Sequence, residues 1–305
     1  MLGWLARRGK VPGWFAATLD ADTVSFAHAR PSPAGKWAVT DYGSRRASEL
    51  RLEGHQCTTV LHPGEYQLLM VEAPDVPAAE LKSAIRWKVK DLVDYRIEDA
   101  TIDMLDIPPA SPATASNARP MFAVSARNDL LQGRIRELEE ARVPVSVIDI
   151  RETAQRNIAA LFESADRGLA FIHFGADAGL LTINFRGELY LARRLEVGVE
   201  ALAEGAADEG GALERVALEV QRTLDHFDRQ FRHIAVAKLV LGPTPRPTRL
   251  AESLRERLDL AVEEADLREV LDFAAAAEPE AQWRFFHHFG AALRQDAEAA
   301  RESAR

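Results

Sequence analysis

Short runs of β-branched and aromatic residues, separated by polar turn residues, recur in two distant parts of the chain. The first set comprises Trp14–Leu19, Thr23–Arg30 and Lys36–Arg45. The second set comprises Leu169–Phe174, Gly179–Phe185 and Leu189–Glu196. Because this pattern is typical of antiparallel strands, we predict two three-stranded meanders. Their similarity at a separation of about 150 residues indicates a duplicated architecture.

Between and after the meanders, apolar positions recur at helical spacing or form short continuous runs. Helices are predicted over residues 129–141, 152–163, 213–232, 250–258 and 283–302. Further strands are predicted over residues 66–71, 121–126, 145–150, 234–241 and 260–263. Residues 108–120 are rich in proline, alanine, serine and threonine and lack apolar periodicity, so we predict a mobile loop there.

The segment Glu72–Ile107 contains a predicted helix with one aromatic residue outside its apolar stripe. At about 100° per residue the stripe consists of Leu81, Ile85, Val89 and Leu92. Trp87 projects away from this stripe, on a side that also carries cations, and such a composition is enriched at protein interfaces. We predict a docking element whose candidate contacts are Arg86, Trp87, Lys90 and Asp91. The alternative is that Trp87 packs beneath a loop of its own chain.

The composition is that of an ordinary globular protein, and the length suffices for about two domains. The 305 residues carry 38 Lys and Arg against 47 Asp and Glu, a formal net charge of -9. This balance does not favour contacts with a phosphate backbone, so we exclude nucleic acid as a partner. With a single cysteine, Cys57, we expect no internal disulfide, which suits a reducing cytoplasm.

The N-terminal residues 1–10 place an apolar group before a basic group, the reverse of a secretory signal. No apolar run approaches the length of a membrane span, so we predict a soluble chain. We expect the first ten residues to be a frayed lead into the first strand. Contact of Trp4 and the neighbouring cations with an anionic lipid surface is the alternative.

The histidines and the known catalytic motifs give no indication of a metal site or of an enzyme activity. His287 and His288, with His226 and His233, form the histidine-rich set. Adjacent histidines on a helix point about 100° apart and do not easily bind one metal ion, so we predict no metal site. The sequence also lacks the spacings of nucleophile elbows, P-loops and paired-cysteine zinc sites.

Several weak motifs follow one another in a fixed order along nearly the whole chain. They include Glu80-Leu-x-x-Ala-Ile-Arg-Trp-x-Val-Lys-Asp-Leu92, Val145-Ser-Val-Ile-Asp-Ile150, Arg193-Arg-Leu-Glu-Val-Gly198, Leu239-Val-Leu-Gly242 and Phe289-Gly-Ala-Ala-Leu-Arg294. The ordered set resembles the PilM family of type IV pilus assembly proteins. Within that family it is most similar to the MshI branch, which serves biogenesis of the mannose-sensitive haemagglutinin (MSHA) pilus.

The resemblance implies an α/β protein with the actin-like ATPase (ribonuclease H-like) fold, built of two lobes and an inserted small α+β subdomain. The first lobe would comprise residues 1–60, 143–167 and 283–305, the inserted subdomain residues 61–142, and the second lobe residues 168–282. The resemblance also implies a cytoplasmic protein, peripheral on the inner membrane, that holds the cytoplasmic tail of a PilN-like membrane protein. The resemblance leaves open whether the protein forms a homodimer.

The first segment that should contact nucleotide in this family departs from the family pattern. Thr18 stands where the family has a metal-facing aspartate, and Ser25 stands where it has a lysine. No glycine remains in the turn between them. Asp20 and Asp22 in that turn would repel a phosphate group and not receive it.

The other two nucleotide segments depart as well. The family's Asp-Ile-Gly becomes His173-Phe-Gly175, which keeps the glycine but offers an imidazole that organises hydrated magnesium poorly. The purine-holding loop Leu241–Pro247 carries three prolines in place of the family's Ser-Gly-Gly, which removes a donor and stiffens the backbone. Together these changes predict a pseudo-ATPase without cofactor; ATP and magnesium are expected only under the alternative below.

Two functions of different classes are compatible with these residues. The first is a non-catalytic scaffold of the MSHA-type pilus assembly complex, which captures a peptide tail in a groove between the first lobe and the inserted subdomain. The second is an ATP-binding switch with a divergent pocket formed by Asp20, Asp22, Gly175, Asp177 and Gly242. A type II secretion assembly component is a related scaffold, although such a chain normally continues into a transmembrane helix.

Overall fold

The computed structural model describes residues 11–33, 35–109 and 119–294, and these ranges contain three β-sheets with helices between and around them. The first ten residues, most of the predicted 108–120 loop and the last part of the predicted terminal helix lie outside the described residues.

Most of the strands begin and end close to predicted positions. They are β1 (Trp14–Asp20), β2 (Thr23–Pro31), β3 (Trp37–Arg46), β4 (Gln56–Val60), β5 (Tyr66–Glu72), β6 (Ala100–Asp106), β7 (Pro120–Arg127), β8 (Val145–Asp149), β9 (Gly168–Phe174), β10 (Gly179–Phe185), β11 (Glu188–Leu195), β12 (Val236–Leu241), β13 (Ala261–Glu264) and β14 (Leu271–Phe273). The helices are α1 (Ala78–Val89), α2 (Asn128–Glu140), α3 (Arg151–Ala159), α4 (Glu209–Gln230), α5 (Leu250–Arg257), α6 (Pro279–Arg284) and α7 (Phe286–Ala292).

The first sheet has the strand order β14-β3-β2-β1-β4-β8. Its centre is the predicted antiparallel meander, in which Ala16 lies opposite Ala27 and Ala27 opposite Tyr42. β4 and β8 extend one edge by parallel pairing, and β14 pairs in parallel with β3 at the other edge. The sequence analysis missed β4 and β14. Residues 271–273, which we assigned to the second lobe, therefore belong to the first sheet.

The second sheet has the order β11-β10-β9-β12-β13, with the predicted second meander at one side and β13 at the edge. α4 covers this sheet with the apolar side chains of Val216, Val220 and Phe227, all of which are buried. Their spacings of four and seven residues, one and two helical turns, place them on one face of an amphipathic helix. Burial of such side chains contributes roughly 2 kcal/mol each to folding.

The third sheet, in the order β5-β7-β6, is the predicted inserted unit. α1 covers one of its faces, where Ile85 and Val89 pack against Ile102 and Met121. The opposite face joins the core of the second sheet, to which Phe122 contributes. The insert is thus fixed to the second lobe, whereas the sequence analysis considered only its junction with the first.

α3 and α7 lie between the two large sheets. Phe286 of α7 stacks on Phe171 of β9 with ring centroids 5.6 Å apart, and it shares a core with Ala16 and Ala27 of the first sheet. From α3, the buried Gln155 donates from Nε2 to the carbonyl oxygens of Phe171 and Leu180, at 3.1 and 3.0 Å. In the described part of the helix predicted over residues 283–302, the chain instead forms the end of α6 and all of α7. The break is at Phe285, whose φ of -101° and ψ of 13° are not helical.

Candidate functional site

A cleft of about 900 Å³ lies where the first sheet, the insert and the second sheet meet. We call it the interlobe cleft. Its polar lining comes from His62, Tyr66, Arg151, Glu152, His173, Asp177, Arg193, Arg194, Arg284 and His287. A volume in the range of roughly 300–1,000 Å³ is typical of ligand sites, so this cleft is large enough to be one.

His173 occupies the position at which the resemblance implies an aspartate, and it is 3% exposed. Its ring stacks on Phe286 at 4.0 Å between centroids and meets the edge of His287 at 5.2 Å. Loss of hydration, together with the charge of the nearby Arg151, lowers the pKa of His173 to about 3. The ring is therefore neutral at pH 7 and supplies no negative charge for a metal ion.

The acidic residues of the β1–β2 hairpin, Asp20 and Asp22, do not line the interlobe cleft. Thr18 Oγ1 is hydrogen-bonded to Nε2 of His288 at 2.8 Å, so two residues 270 positions apart bind each other. Asp20 lines a groove of about 430 Å³ with His62 and Arg134, and His62 also borders the interlobe cleft. Asp22 lines another, of about 440 Å³, beside Arg51 and Arg142. Ser25 is hydrogen-bonded to Ser44 across the β2–β3 pair, at 2.9 Å between the hydroxyl oxygens.

The remaining predicted positions are divided as well. Gly175 and Asp177, in the β9–β10 hairpin, line the interlobe cleft. Gly242 lines a cavity of only about 180 Å³ with Pro243 and Asp266. Gln282 of α6 borders that small cavity and is held there by its own hydrogen bonds, donating to Asp266 Oδ1 at 3.0 Å and accepting from the Leu267 N–H at 2.8 Å.

α6 separates the small cavity from the interlobe cleft. Gln282 faces the cavity, while the next residue, Trp283, lines the cleft. Trp283 Nε1 donates to the carbonyl oxygen of Phe174 at 2.7 Å, which fastens α6 to the end of β9.

The structure thus distributes the predicted nucleotide positions over separate cavities. The five residues required by the nucleotide-switch alternative fall into four different places and form no common pocket. Within 11–33, 35–109 and 119–294, no group of three or more His, Cys, Asp or Glu side chains is placed to hold a metal ion.

The candidate docking residues lie at the end of α1. Trp87 is 70% exposed, as its place outside the apolar stripe predicted, and Lys90 Nζ lies 4.3 Å from the centre of its ring. Asp91 is exposed beside them. Leu92, which we assigned to the buried stripe, is 55% exposed because the helix ends at Val89. We call these four residues the α1 surface.

Arg86 differs from the other candidates. Its Nη2 donates to the carbonyl oxygens of Ile97 and Ala100, the latter at 3.2 Å, and so ties α1 to the start of β6. A guanidinium that satisfies backbone carbonyls within the fold is a structural group. Arg86, one of the predicted docking contacts, is therefore not part of the α1 surface.

The sequence analysis missed several residues of the interlobe cleft, above all Arg151, Arg194 and Trp283. A signal was present, since Arg151 follows the parallel strand β8 after a single residue, and polar residues beyond the carboxyl ends of such strands commonly meet ligands. None of the helices in the described part of the chain combines the length and apolar character needed to cross a bilayer.

Comparison with known proteins yields similarity in structure alone. No protein-family model matches the chain, and none of the curated proteins matches it. Among solved structures, the type IV pilus biogenesis complex PilM–PilN matches 93% of this chain and 97% of its own, with a TM-score of 0.66 and 19% identity. The chain has the actin-like fold of PilM. This confirms the predicted fold class.

Two further structures with weaker similarity match most of the chain. One is the cytoplasmic domain of EpsL, an inner-membrane component of the Vibrio cholerae type II secretion system, with 12% identity, 93% and 96% coverage and a TM-score of 0.49. The other is a Bacteroides thetaiotaomicron protein of unknown function with an actin-like ATPase fold, with 10% identity, 86% and 93% coverage and a TM-score of 0.47.

Proposed function

We propose that the chain is a non-catalytic scaffold of a type IV pilus assembly complex, of the MSHA type, that works in the cytoplasm at the inner membrane. In this role it binds the cytoplasmic tail of a PilN-like membrane protein. The strongest support is the likeness to the PilM–PilN complex over nearly the full length of both chains. The dispersal of the nucleotide positions supports the absence of ATPase activity.

The α1 surface is our candidate anchor for the tail. A tryptophan that is 70% exposed on a helix is unusual for a surface without a partner, since tryptophans are mostly buried. The Lys90 ammonium over its ring leaves the opposite face open to an apolar side chain, and Leu92 adds apolar area. Aromatic residues in this setting supply most of the binding energy of many interfaces.

Replacing Trp87 with alanine is expected to weaken tail binding at least about tenfold while leaving stability within about 0.5 kcal/mol of the original. Stability should hold because most of the side chain is already in water. The measurement is calorimetric titration with a peptide of the tail, together with thermal unfolding of each variant.

The matched control is Leu218→Ala, which removes another exposed apolar side chain, 46% accessible, from α4. It should change neither quantity. Unchanged peptide affinity in a folded Trp87→Ala variant would remove the α1 surface from the proposal, and a large loss of stability would return Trp87 to a structural role.

A nucleotide switch makes a different prediction. If magnesium-bound ATP had a site here, a concentration of 100 times its Kd would stabilise the fold by about 2.7 kcal/mol, which a thermal scan detects easily. We expect the same thermal midpoint in millimolar ATP with magnesium as in ATP with EDTA. A shift that requires magnesium would favour the switch over the scaffold.

A further inference from the structure

The interlobe cleft contains a guanidinium, that of Arg151, that makes no bond to a described residue. Arg151 begins α3, and its side chain has no ion pair and no hydrogen bond to any residue in the described ranges. Burial lowers the pKa of Arg151, while Tyr66 and Glu152 raise it in part. A partly buried cation without a partner is costly, so this group calls for an anion from outside the chain.

The surroundings of Arg151 are built to leave room beside it. Its Nη1 lies 3.7 Å from where a Cβ on Gly175 would stand, so the guanidinium lies against the β9–β10 hairpin. The hairpin residues 175–179 are Gly, Ala, Asp, Ala and Gly. Asp177 is therefore the one residue among these five whose side chain is larger than a methyl group. A larger residue at Gly175 would fill the space next to the cation.

Hydrogen-bonding capacity in the cleft is also unused. His287 lines it, and its buried ring nitrogen Nε2 has no partner in the described part of the chain. Nδ1 of His173 is unpartnered as well, but it lies on the Gly242 side, 3.0 Å from where a Cβ on Gly242 would stand. Unsatisfied buried polar atoms are uncommon in native proteins. A neutral imidazole keeps one N–H that can be donated to an oxyanion.

The charges of the lining favour an anion with more than one negative charge. Four arginines, Arg151, Arg193, Arg194 and Arg284, face two carboxylates. Burial raises the pKa of Glu152, whose carboxylate accepts a hydrogen bond from the Tyr66 hydroxyl at 2.5 Å. Arg193 and Arg194 also pair with Glu219 and Glu196, at 2.5 and 2.8 Å, so Arg151 and Arg284 carry the free positive charge.

We propose that the interlobe cleft binds a small phosphate-bearing anion directly through Arg151, without a divalent metal ion. The planar guanidinium offers paired donors that match a phosphate, and the volume of about 900 Å³ admits one. This site is independent of the proposed tail binding, because the α1 surface and the interlobe cleft share no residue.

The test uses the whole chain with inorganic pyrophosphate in EDTA, followed by calorimetry and thermal unfolding. We expect pyrophosphate to bind and to raise the thermal midpoint, and added magnesium not to increase the shift. Arg151→Ala should weaken binding at least about tenfold, and Arg151→Lys, which keeps the charge but not the fork, less than that. Arg222→Ala, at an exposed arginine of α4 outside the cleft, is the matched control and should bind as the original does.

A second variant, Ala178→Glu, places a carboxylate in the hairpin lining and should also weaken binding, which keeps the test valid if Arg151→Ala fails to fold. Absence of binding by the folded original chain, equal affinity in folded Arg151→Ala, a strict need for magnesium, or equal binding of succinate would each overturn the proposal. Tail-peptide affinity is measured on the same samples, so a failure of this site is distinguishable from a failure of the scaffold function.

Discussion

Gly290→Ala is expected to destabilise the fold by about 3 kcal/mol or more, because an added Cβ would overlap backbone that has nowhere to move. Gly290 lies on α7 at its crossing with α3, and the new atom would meet the carbonyl oxygen and carbon of Ala154. The Gly290 carbonyl also accepts a hydrogen bond from Asn157 Nδ2 at 2.9 Å. The two helices would have to separate, and they hold the two large sheets together.

Gly133→Ala is the matched control for this prediction. Gly133 also lies in a helix, α2, but no other atom of the described residues stands within 4 Å of the position that its Cβ would take. Alanine there should stabilise the chain by about 0.5–1 kcal/mol, since it lowers the entropy lost on folding. Urea unfolding measures both variants. Similar effects of the two substitutions would show that α3 and α7 are not in the close contact described.

Acidification from pH 7.5 to pH 5 is expected to cost about 4 kcal/mol of stability through two buried histidines alone. Burial lowers the pKa of His173 to about 3 and that of His288 to about 4, whereas both titrate near 6.5 when unfolded. The unfolded state therefore binds more protons below pH 6.5, and stability falls as the pH drops from there towards the folded values. At pH 5 each histidine accounts for about 2 kcal/mol.

Other groups modify this loss in known directions. Burial also lowers the pKa of His287 well below its usual value, which adds to the loss. Glu152 acts in the opposite sense, because its raised pKa lets the folded state take up a proton as the pH falls. The measurement is the free energy of unfolding in urea at several pH values.

The slope of stability against pH identifies the histidines responsible. His173→Phe, which keeps an aromatic ring on Phe286, should lower the slope between pH 6.5 and 5 by about one proton. The same replacement at the exposed His226 measures the effect of the substitution itself. An unchanged slope in His173→Phe would mean that this ring is charged or solvated in the folded state.

Much of the fold follows from local pattern, and so it could be predicted. Each meander is built of neighbouring strands joined by short turns, and the amphipathic spacing of α4 fixes which face is buried. The exposure of Trp87 was predictable for the same reason, since helical geometry alone sets its direction.

The rest depends on contacts between distant parts of the chain. β14 pairs with β3 over more than 200 positions, and its three residues carry no periodicity of their own. The division of Asp20, Asp22 and Gly242 among separate cavities follows from the placement of α6 and the turns, which local pattern does not report. Arg86 looked free in sequence because its carbonyl partners lie in another element.

The burial of α7 beneath β1 and β2 also bears on how the protein is made. Phe286 and Phe289 complete a hydrophobic core that includes Ala16 and Ala27, strand residues translated some 270 codons earlier. When the first meander has emerged from the ribosome, its apolar face is therefore still exposed, because α7 has not yet been synthesised. Nascent chains that end before α7 should therefore bind a chaperone until this helix has emerged from the ribosome.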